Sequence, residues 1–112
     1  MLHTVIETAA FLRSADAAGM TEIELKLAAD TVAADPLAGD LIVGSGGCRK
    51  VRIAGRGFGK SGGYRIVTFY AGPDVPVFLL WALSKGRAAN LTRAQVNTLA
   101  TVTRTLLGSL TS

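Results

Sequence analysis

The spacing of apolar residues changes twice along this chain, and those changes limit what it can fold into. Residues 8–35 carry apolar side chains at helical spacing, residues 48–83 contain three strand-like segments, and a helical stripe returns after Thr92. A short strand is also predicted at residues 2–6. The resulting order, β-α-α-β-β-β-α, predicts one small α+β domain over residues 1–112 with a mainly antiparallel sheet.

Capping signals mark the first two helices. Residues 8–18 are rich in alanine and stop at Gly19, which favours the end of a helix. Thr21 and Glu24 have the spacing of a capping box, in which each side chain accepts a hydrogen bond from the other residue's backbone N–H. Pro36 disfavours helical geometry in the residue before it, so the second helix should end by residue 35.

The last helix is predicted from the same kind of signal. Thr92 and Gln95 repeat the capping box just before a run of apolar residues at helical spacing. Such a stripe should pack on the core, although it could also serve as a docking face for a partner. Its members are Val96, Leu99, Val102, Leu106 and Leu110.

Three strands are predicted between the helices. Residues 48–54 alternate in character, so one face should be buried while the other carries Lys50 and Arg52. Residues 64–71 are rich in aromatic and β-branched side chains, which favour strands. Residues 75–83 are apolar on both faces, which is typical of a central strand covered on each side.

Two glycine-rich segments separate these elements. Glycines between positions 39 and 47 indicate a flexible connection, and residues 54–61, AGRGFGKS, match a relaxed phosphate-loop pattern. A phosphate loop needs a helix after it, because the helix N-terminus binds the phosphate, whereas a strand is predicted here. Nucleotide hydrolysis is therefore disfavoured, although Lys60 and the loop amides remain suited to contact a phosphate.

Charge is distributed unevenly along the chain. Residues 1–40 hold two basic and seven acidic side chains, whereas residues 41–112 hold ten basic and one acidic. Cations scattered over a surface serve solubility, but ordinary surfaces mix both signs, and no acid occurs from Leu41 to Pro73. Such a stretch favours a polyanionic partner, most often nucleic acid. Its six cations are Arg49, Lys50, Arg52, Arg56, Lys60 and Arg65.

Several classes of protein are excluded or disfavoured. The longest apolar run, residues 75–83, is short of the roughly 20 residues of a membrane span, and no signal peptide is recognised. Cys48 is the only cysteine, which excludes an internal disulfide and fits a reducing compartment, so a cytoplasmic location is expected. His3 and Cys48 are too few for a tetrahedral zinc site, and no metal or cofactor is predicted.

Aromatic side chains offer a second means of contacting nucleic acid, because bases stack on them. Tyr64 and Tyr70 lie near strand ends and are the better stacking candidates, whereas Phe78 and Trp81 fall in an apolar run that predicts core positions. His3 is interpreted as structural and Cys48 as a small buried hydrophobe.

A family resemblance runs through the same segments. Residues 35–70 resemble RelE/HigB-like toxins of bacterial type II toxin–antitoxin systems, in the pieces DPLAGD, GSGGCRKVR and GKSGGYRIV. VIET near the N-terminus and SKGRAANLT near the C-terminus are also similar to the family, so the resemblance covers nearly the whole chain. It implies a RelE-like fold.

The resemblance also implies an activity, partners and site residues. Such a toxin is a ribosome-dependent mRNA endonuclease, and a cognate antitoxin, often a helix-turn-helix protein, neutralises it. Many relatives have an aromatic residue two positions before the lysine matched by Lys85, where this chain has Leu83. From the match with the family's basic segments, catalytic roles are predicted for Lys50, Arg52, Lys60, Arg65 and Lys85, and RNA-binding roles for Arg49, Arg56, Arg87 and Tyr64.

A mechanism without a metal ion follows from the chemistry of RNA, since the ribose 2′-hydroxyl is the nucleophile. Arg52 and Arg65 would hold the scissile phosphate, because guanidinium groups fit phosphate oxygens. Neighbouring cations favour the neutral amine of a lysine, so Lys50 and Lys60 are both candidates for the base. Lys85 or Arg87 would assist the leaving group or bind ribosomal RNA.

Two other functions stay open at this point. A toxin of the same fold could inhibit a large target, such as DNA gyrase or the ribosome, by binding alone. A housekeeping RNA-binding protein would have the same basic surface but would not be toxic. The joint presence of Lys50, Arg52, Lys60 and Arg65 favours the enzyme.

Overall fold

The computed structural model describes residues 3–53, 63–84 and 91–111. These residues form three helices and a five-stranded sheet, and none of the helices is long and apolar enough to cross a membrane. In chain order the elements are β1 (Val5–Glu7), α1 (Ala9–Ala17), α2 (Glu22–Ala34), β2 (Asp40–Leu41), β3 (Cys48–Ile53), β4 (Tyr64–Tyr70), β5 (Val77–Ser84) and α3 (Arg93–Thr111).

The sheet has the strand order β1-β5-β4-β3-β2. β1 pairs with β5 in parallel, and the other three pairings are antiparallel, so the predicted α+β class and the mainly antiparallel sheet are confirmed. The prediction missed β2, because two residues are too few to show the alternation that identifies a strand. β2 pairs with the first half of β3 and forms an edge of the sheet.

Two apolar cores lie on opposite faces of the sheet. α1 and α2 cover one face, where Phe11 and Val32 pack with side chains of β3, β4 and β5. α3 covers the other face, where Leu99 packs with Cys48, Val67 and Phe69. β5 contributes to both cores with alternate residues, which confirms the prediction of a strand covered on each side.

The helix caps are where the sequence places them. Thr21 Oγ1 accepts a hydrogen bond from the backbone N–H of Glu24 at 3.2 Å, and Glu24 Oε1 accepts one from the backbone N–H of Thr21 at 2.9 Å. Thr92 and Gln95 form the same reciprocal pair before α3, at 3.1 and 2.8 Å. α3 then packs its predicted stripe on the sheet, with Leu99 fully buried.

The connection between β2 and β3 differs from the flexible segment predicted. Ser45 is fully buried, and its Oγ accepts a hydrogen bond from the backbone N–H of Cys48 at 2.9 Å. The hydroxyl of Thr103 on α3 donates to the carbonyl oxygen of Ser45 at 3.1 Å. Glycine provides the turn, since Gly46 has a φ of 82°. These contacts hold the turn against α3, a constraint that glycine content alone cannot reveal.

The structural interpretation of His3 and Cys48 agrees with their surroundings. Nε2 of His3 lies 3.0 Å from the hydroxyl of Tyr70, and the two rings meet edge to face with centroids 5.2 Å apart. Cys48 is fully buried, and burial raises the pKa of its thiol to about 11, partly offset by its hydrogen bond with Ser45. A thiol held in its neutral form is a poor nucleophile, so Cys48 acts as a core residue.

Candidate nucleic-acid interface

A cationic cleft lies where β2, β3 and β4 meet. Its volume is about 310 Å³, and the described residues that line it are Gly39, Asp40, Lys50, Arg52 and Arg65. The alternation of side chains along a strand explains why two cations line the cleft, because Lys50 and Arg52 are two residues apart on β3 and share a face. The same face carries Cys48 farther along β3, which is buried beneath α3. One face of the sheet is thus apolar at one end and cationic at the other.

Strand pairing brings together two of the arginines that line this cleft. Arg52 on β3 and Arg65 on β4 are Cα partners in the antiparallel register, so their side chains leave the sheet on the same side. Arg52 is exposed and Arg65 is half-buried. Like charges placed directly opposite in a sheet destabilise it, so the charge repulsion in this pair is unfavourable for the folded protein.

The side chain of Arg65 has an unmet hydrogen-bonding group. Its Nη1 atom is buried and has no hydrogen-bond partner among the described residues. A buried donor without an acceptor costs about 1–3 kcal/mol. An anion held in the cleft would supply acceptor oxygens, and a guanidinium group can bind two oxygens of one phosphate at once. The arrangement is therefore suited to a phosphate ligand.

Asp40 is a cleft residue that the sequence did not identify as functional. It lies on β2 as the cross-strand partner of Lys50, which places both side chains on the cleft side of the sheet. Asp40 belongs in sequence to the acidic first third, and only the pairing of β2 with β3 brings it among the cations. The one available signal was its position as the last residue of the DPLAGD motif.

Two predicted RNA-binding residues lie outside the cleft. Arg49 is on the other face of β3 from Lys50, and its Nη1 donates to the carbonyl oxygen of Gly39 at 3.2 Å. Tyr64 is on the face of β4 that packs toward α1 and α2. Its hydroxyl donates to Oε1 of Glu24 at 3.1 Å, so a role in base stacking would require Tyr64 to leave this position.

The surroundings of Tyr64 also affect its ionisation. Burial, followed by the hydrogen bond to Glu24 and the negative charge of that carboxylate, raises the pKa of the phenol. Glu24 itself is buried and accepts hydrogen bonds from both Thr21 and Tyr64. Tyr64 thereby connects the start of β4 to α2. The next residue on β4 is Arg65, which lines the cleft.

Four of the predicted residues lie outside the described parts of the chain, and the predictions for them stand as made. They belong to two segments, 54–62 and 85–90, which follow β3 and β5 directly. Among the described residues, the element that follows the first segment is the strand β4, whereas a phosphate loop requires a helix after it. The four residues are Arg56, Lys60, Lys85 and Arg87.

Leu83 is the residue at which the family resemblance implies an aromatic side chain. It is the cross-strand partner of Arg65, so it stands beside the cleft on the same face of the sheet. Leu83 packs against the core beneath α3, where Trp81 lies two residues earlier on β5. The side chain opposite Arg65 on β5 is therefore aliphatic. The nearest aromatic side chain on β5 is that of Trp81, which is opposite Val67.

Comparison with known protein families gives a match over nearly the whole chain. A family model described as the RelE toxin of the RelE / RelB toxin-antitoxin system matches residues 3–111. The chain belongs to the RelE toxin family. Toxins of this family generally cleave mRNA, and membership implies a RelB-like antitoxin as partner. The resemblance to RelE/HigB-like toxins seen in the sequence is thus confirmed.

Proposed function

We propose that this RelE-family chain is a ribosome-dependent mRNA endonuclease, active in the cytoplasm, whose cationic cleft binds the scissile phosphate. The observation that supports the proposal most directly is the pairing of Arg52 with Arg65, together with the buried Nη1 of Arg65 that lacks a partner among the described residues. Both features are unfavourable in the isolated protein and become favourable once an anion is bound.

The proposed reaction is an internal transfer within the RNA. The ribose 2′-oxygen attacks the neighbouring phosphorus, the bond to the 5′-oxygen breaks, and the products have a 2′,3′-cyclic phosphate and a 5′-hydroxyl. Arg52 and Arg65 neutralise the charge that accumulates on the phosphate oxygens in the transition state. A preorganised donor of this kind contributes about 3–4 kcal/mol to lowering the barrier.

The remaining predicted residues have supporting roles in this proposal. Lys50 lines the cleft and supplies a third positive charge beside the arginines. Lys60 and Lys85 are proposed to complete the catalytic set. Arg49, Arg56, Arg87 and Tyr64 are proposed to contact RNA, with Arg49 and Tyr64 acting from beyond the cleft.

Dependence on the ribosome is proposed because charge neutralisation alone does not position the RNA. The three cations among the described lining residues can neutralise a phosphate, but they do not by themselves align a flexible single strand for in-line attack. Holding reacting groups in line can supply a large part of a barrier, on the order of 7–11 kcal/mol in well-oriented systems. The ribosome would provide that alignment by fixing the mRNA in its A site.

The test is cleavage of a reporter mRNA by purified protein, with and without translating ribosomes, read by primer extension. The proposal expects discrete cuts on ribosomes and little or no cutting of free RNA. Arg52→Ala and Arg65→Ala should each reduce the cutting rate by about 100-fold or more. Arg104→Ala, on the exposed side of α3, is the matched control and should cut like the wild type.

A toxin that acts only by binding would give a different result. It would stop translation while leaving the reporter mRNA intact, and Arg65→Ala would then change affinity without changing the length of the message. Rapid, specific cutting of free RNA would instead contradict the role assigned to the ribosome. The antitoxin, proposed to be of helix-turn-helix type, should suppress either activity when it is added in equal amount.

A further inference from the structure

Asp40 is the one acid among the five described residues that line the cleft. It is exposed, and strand pairing sets it opposite Lys50 on the same side of the sheet. Neighbouring strands lie about 4.8 Å apart, so the carboxylate of Asp40 is within reach of any ligand that touches Lys50. A substrate phosphate held by Arg52 and Arg65 would therefore have a carboxylate along one side.

A carboxylate in this place is unfavourable for simple anion binding. It repels a phosphate and reduces the net positive charge of the cleft. Its value as a stabilising group is small, since exposed pairs of opposite charge contribute about 0–1 kcal/mol. Neither anion binding nor stability accounts for an acid at this position, which points to a chemical role.

We infer that Asp40 is the general base that removes the proton from the ribose 2′-hydroxyl. This inference rests on the proposed function and replaces the lysine base that the sequence indicated. A carboxylate has the unprotonated form at neutral pH, whereas a lysine must first lose its proton. Strand pairing places the Lys50 ammonium group beside Asp40 on the cleft side of the sheet, which suits an acid role for Lys50.

Asp40 and Lys50 together account for both proton transfers in the reaction. The carboxylate of Asp40 takes the 2′-hydroxyl proton as the bond between the 2′-oxygen and phosphorus forms. The bond between phosphorus and the 5′-oxygen breaks, and the ammonium group of Lys50 gives that oxygen a proton. Transfer of one proton from the Asp40 carboxylic acid to the Lys50 amine then restores both groups.

The experiment measures the chemical step and binding separately. Single-turnover cleavage of mRNA on programmed ribosomes gives the rate, and an mRNA with a 2′-deoxyribose at the cut site, which cannot react, gives the affinity. Asp40→Asn should slow cleavage by about 100-fold to 10,000-fold, the range for loss of a general base. Its affinity for the 2′-deoxy complex should equal or exceed that of the wild type, because a negative charge has been removed.

A second substrate distinguishes the role of Asp40 as the base from the role of Lys50 as the acid. An mRNA with sulfur in place of the 5′-oxygen has a leaving group that needs no proton. The defect of Lys50→Met should largely disappear on this substrate, whereas the defect of Asp40→Asn should persist. Asp40→Glu, which keeps the carboxylate, should cut faster than Asp40→Asn on both substrates.

Asp74→Asn is the matched control, since it makes the same change in an exposed turn at the far end of β4. Each variant is checked for folding by thermal unfolding, and Asp40→Ser takes the place of any Asp40→Asn protein that does not fold. Cleavage by Asp40→Asn or Asp40→Ser within a few-fold of the wild type overturns the inference, as does a loss of rate matched by an equal loss of affinity. If the wild type leaves mRNA intact on ribosomes, the proposed function itself fails, which is a different result.

Discussion

Arg52 and Arg65 face each other across the antiparallel pair of β3 and β4, so two positive charges occupy adjacent positions on one side of the sheet. Cross-strand pairs of like charge destabilise a sheet by up to about 1 kcal/mol. The free protein therefore carries a local penalty at the place where a phosphate would bind. Unfavourable local arrangements of this kind are expected at functional sites and are offset by the rest of the fold.

Arg65→Met should separate the stability of the protein from its activity. The substitution removes one of the two facing charges and the buried Nη1 donor while keeping most of the apolar stem. We expect the free energy of unfolding to stay the same or rise by up to about 1 kcal/mol, while cleavage falls by about 100-fold or more. Urea unfolding and the ribosome cleavage assay measure the two effects, and Arg104→Met serves as control. A clear loss of stability would show that Arg65 has a structural role.

Gly39→Ala should disturb the cleft through the backbone. Gly39 has a φ of 88°, and an added Cβ would overlap the carbonyl oxygen of Lys50 and approach Cγ2 of Val51 at 2.9 Å. Gly19 has a similar φ of 81°, but its Cβ would meet nothing within 4 Å, so Gly19→Ala isolates the backbone cost, about 1–2 kcal/mol. Gly39→Ala should lose more stability than Gly19→Ala and should cut mRNA more slowly. Equal losses in the two variants would mean that β2 accommodates the side chain.

Thr103→Val should loosen the contact between α3 and the turn before β3. The Thr103 hydroxyl lies within hydrogen-bond distance of the carbonyl oxygens of Ser45, at 3.1 Å, and Ala100, at 3.0 Å, and it is buried. Removing this donor should lower the free energy of unfolding by about 1 kcal/mol. Thr105→Val is the control, because its hydroxyl bonds only within the exposed side of α3. Chemical denaturation of both variants would show the difference, and equal values would contradict it.

Cys48 should contribute to the loss of stability at alkaline pH. Burial raises the pKa of its thiol from 9.0 to about 11, so the folded state favours the neutral form. For a raised pKa the stabilisation is complete below the unfolded-state value and is lost as pH rises through the folded-state value, here between pH 9 and about pH 11. Its full size is at most about 2–3 kcal/mol.

The measurement is urea unfolding of the wild type and Cys48→Ala across that range. Below pH 9 the difference in unfolding free energy between the two proteins should be constant and should reflect the packing lost with the sulfur. Above it, the wild type should lose stability more steeply, so the difference should shrink. A constant difference up to pH 11 would show that ionisation of Cys48 is not coupled to unfolding.

Much of the fold follows from local signals in the chain. The capping pairs Thr21–Glu24 and Thr92–Gln95 predict helix starts, since each is a contact between residues three positions apart. The apolar character of residues 75–83 predicts a strand buried on both faces, and residues 77–80 of β5 are buried. β2 was missed because its two residues have no pattern of their own, and it exists only through pairing with β3.

Part of the candidate site could likewise be predicted from the sequence, and part could not. Alternation along β3 places Lys50 and Arg52 on one face, and it can be read from consecutive residues. The meeting of Arg52 with Arg65 depends on the register between β3 and β4, which the intervening segment does not encode in any simple pattern. Tyr64 was assigned from its neighbours in sequence, and Asp40 was given no role. Their neighbours in the structure, Glu24 and Lys50, are forty and ten positions away.

By itself, the sequence determined the fold class, the helix boundaries, the family resemblance and the supply of cations that a phosphate site needs. Those properties depend on residue type and short-range spacing, which can be read directly from the sequence. Only the tertiary structure decided which of those cations share a cleft, that an acid joins them, and that Tyr64 faces away. The physical reason is that strand register sets which side chains become neighbours, and register results from the packing of the whole sheet between its helices.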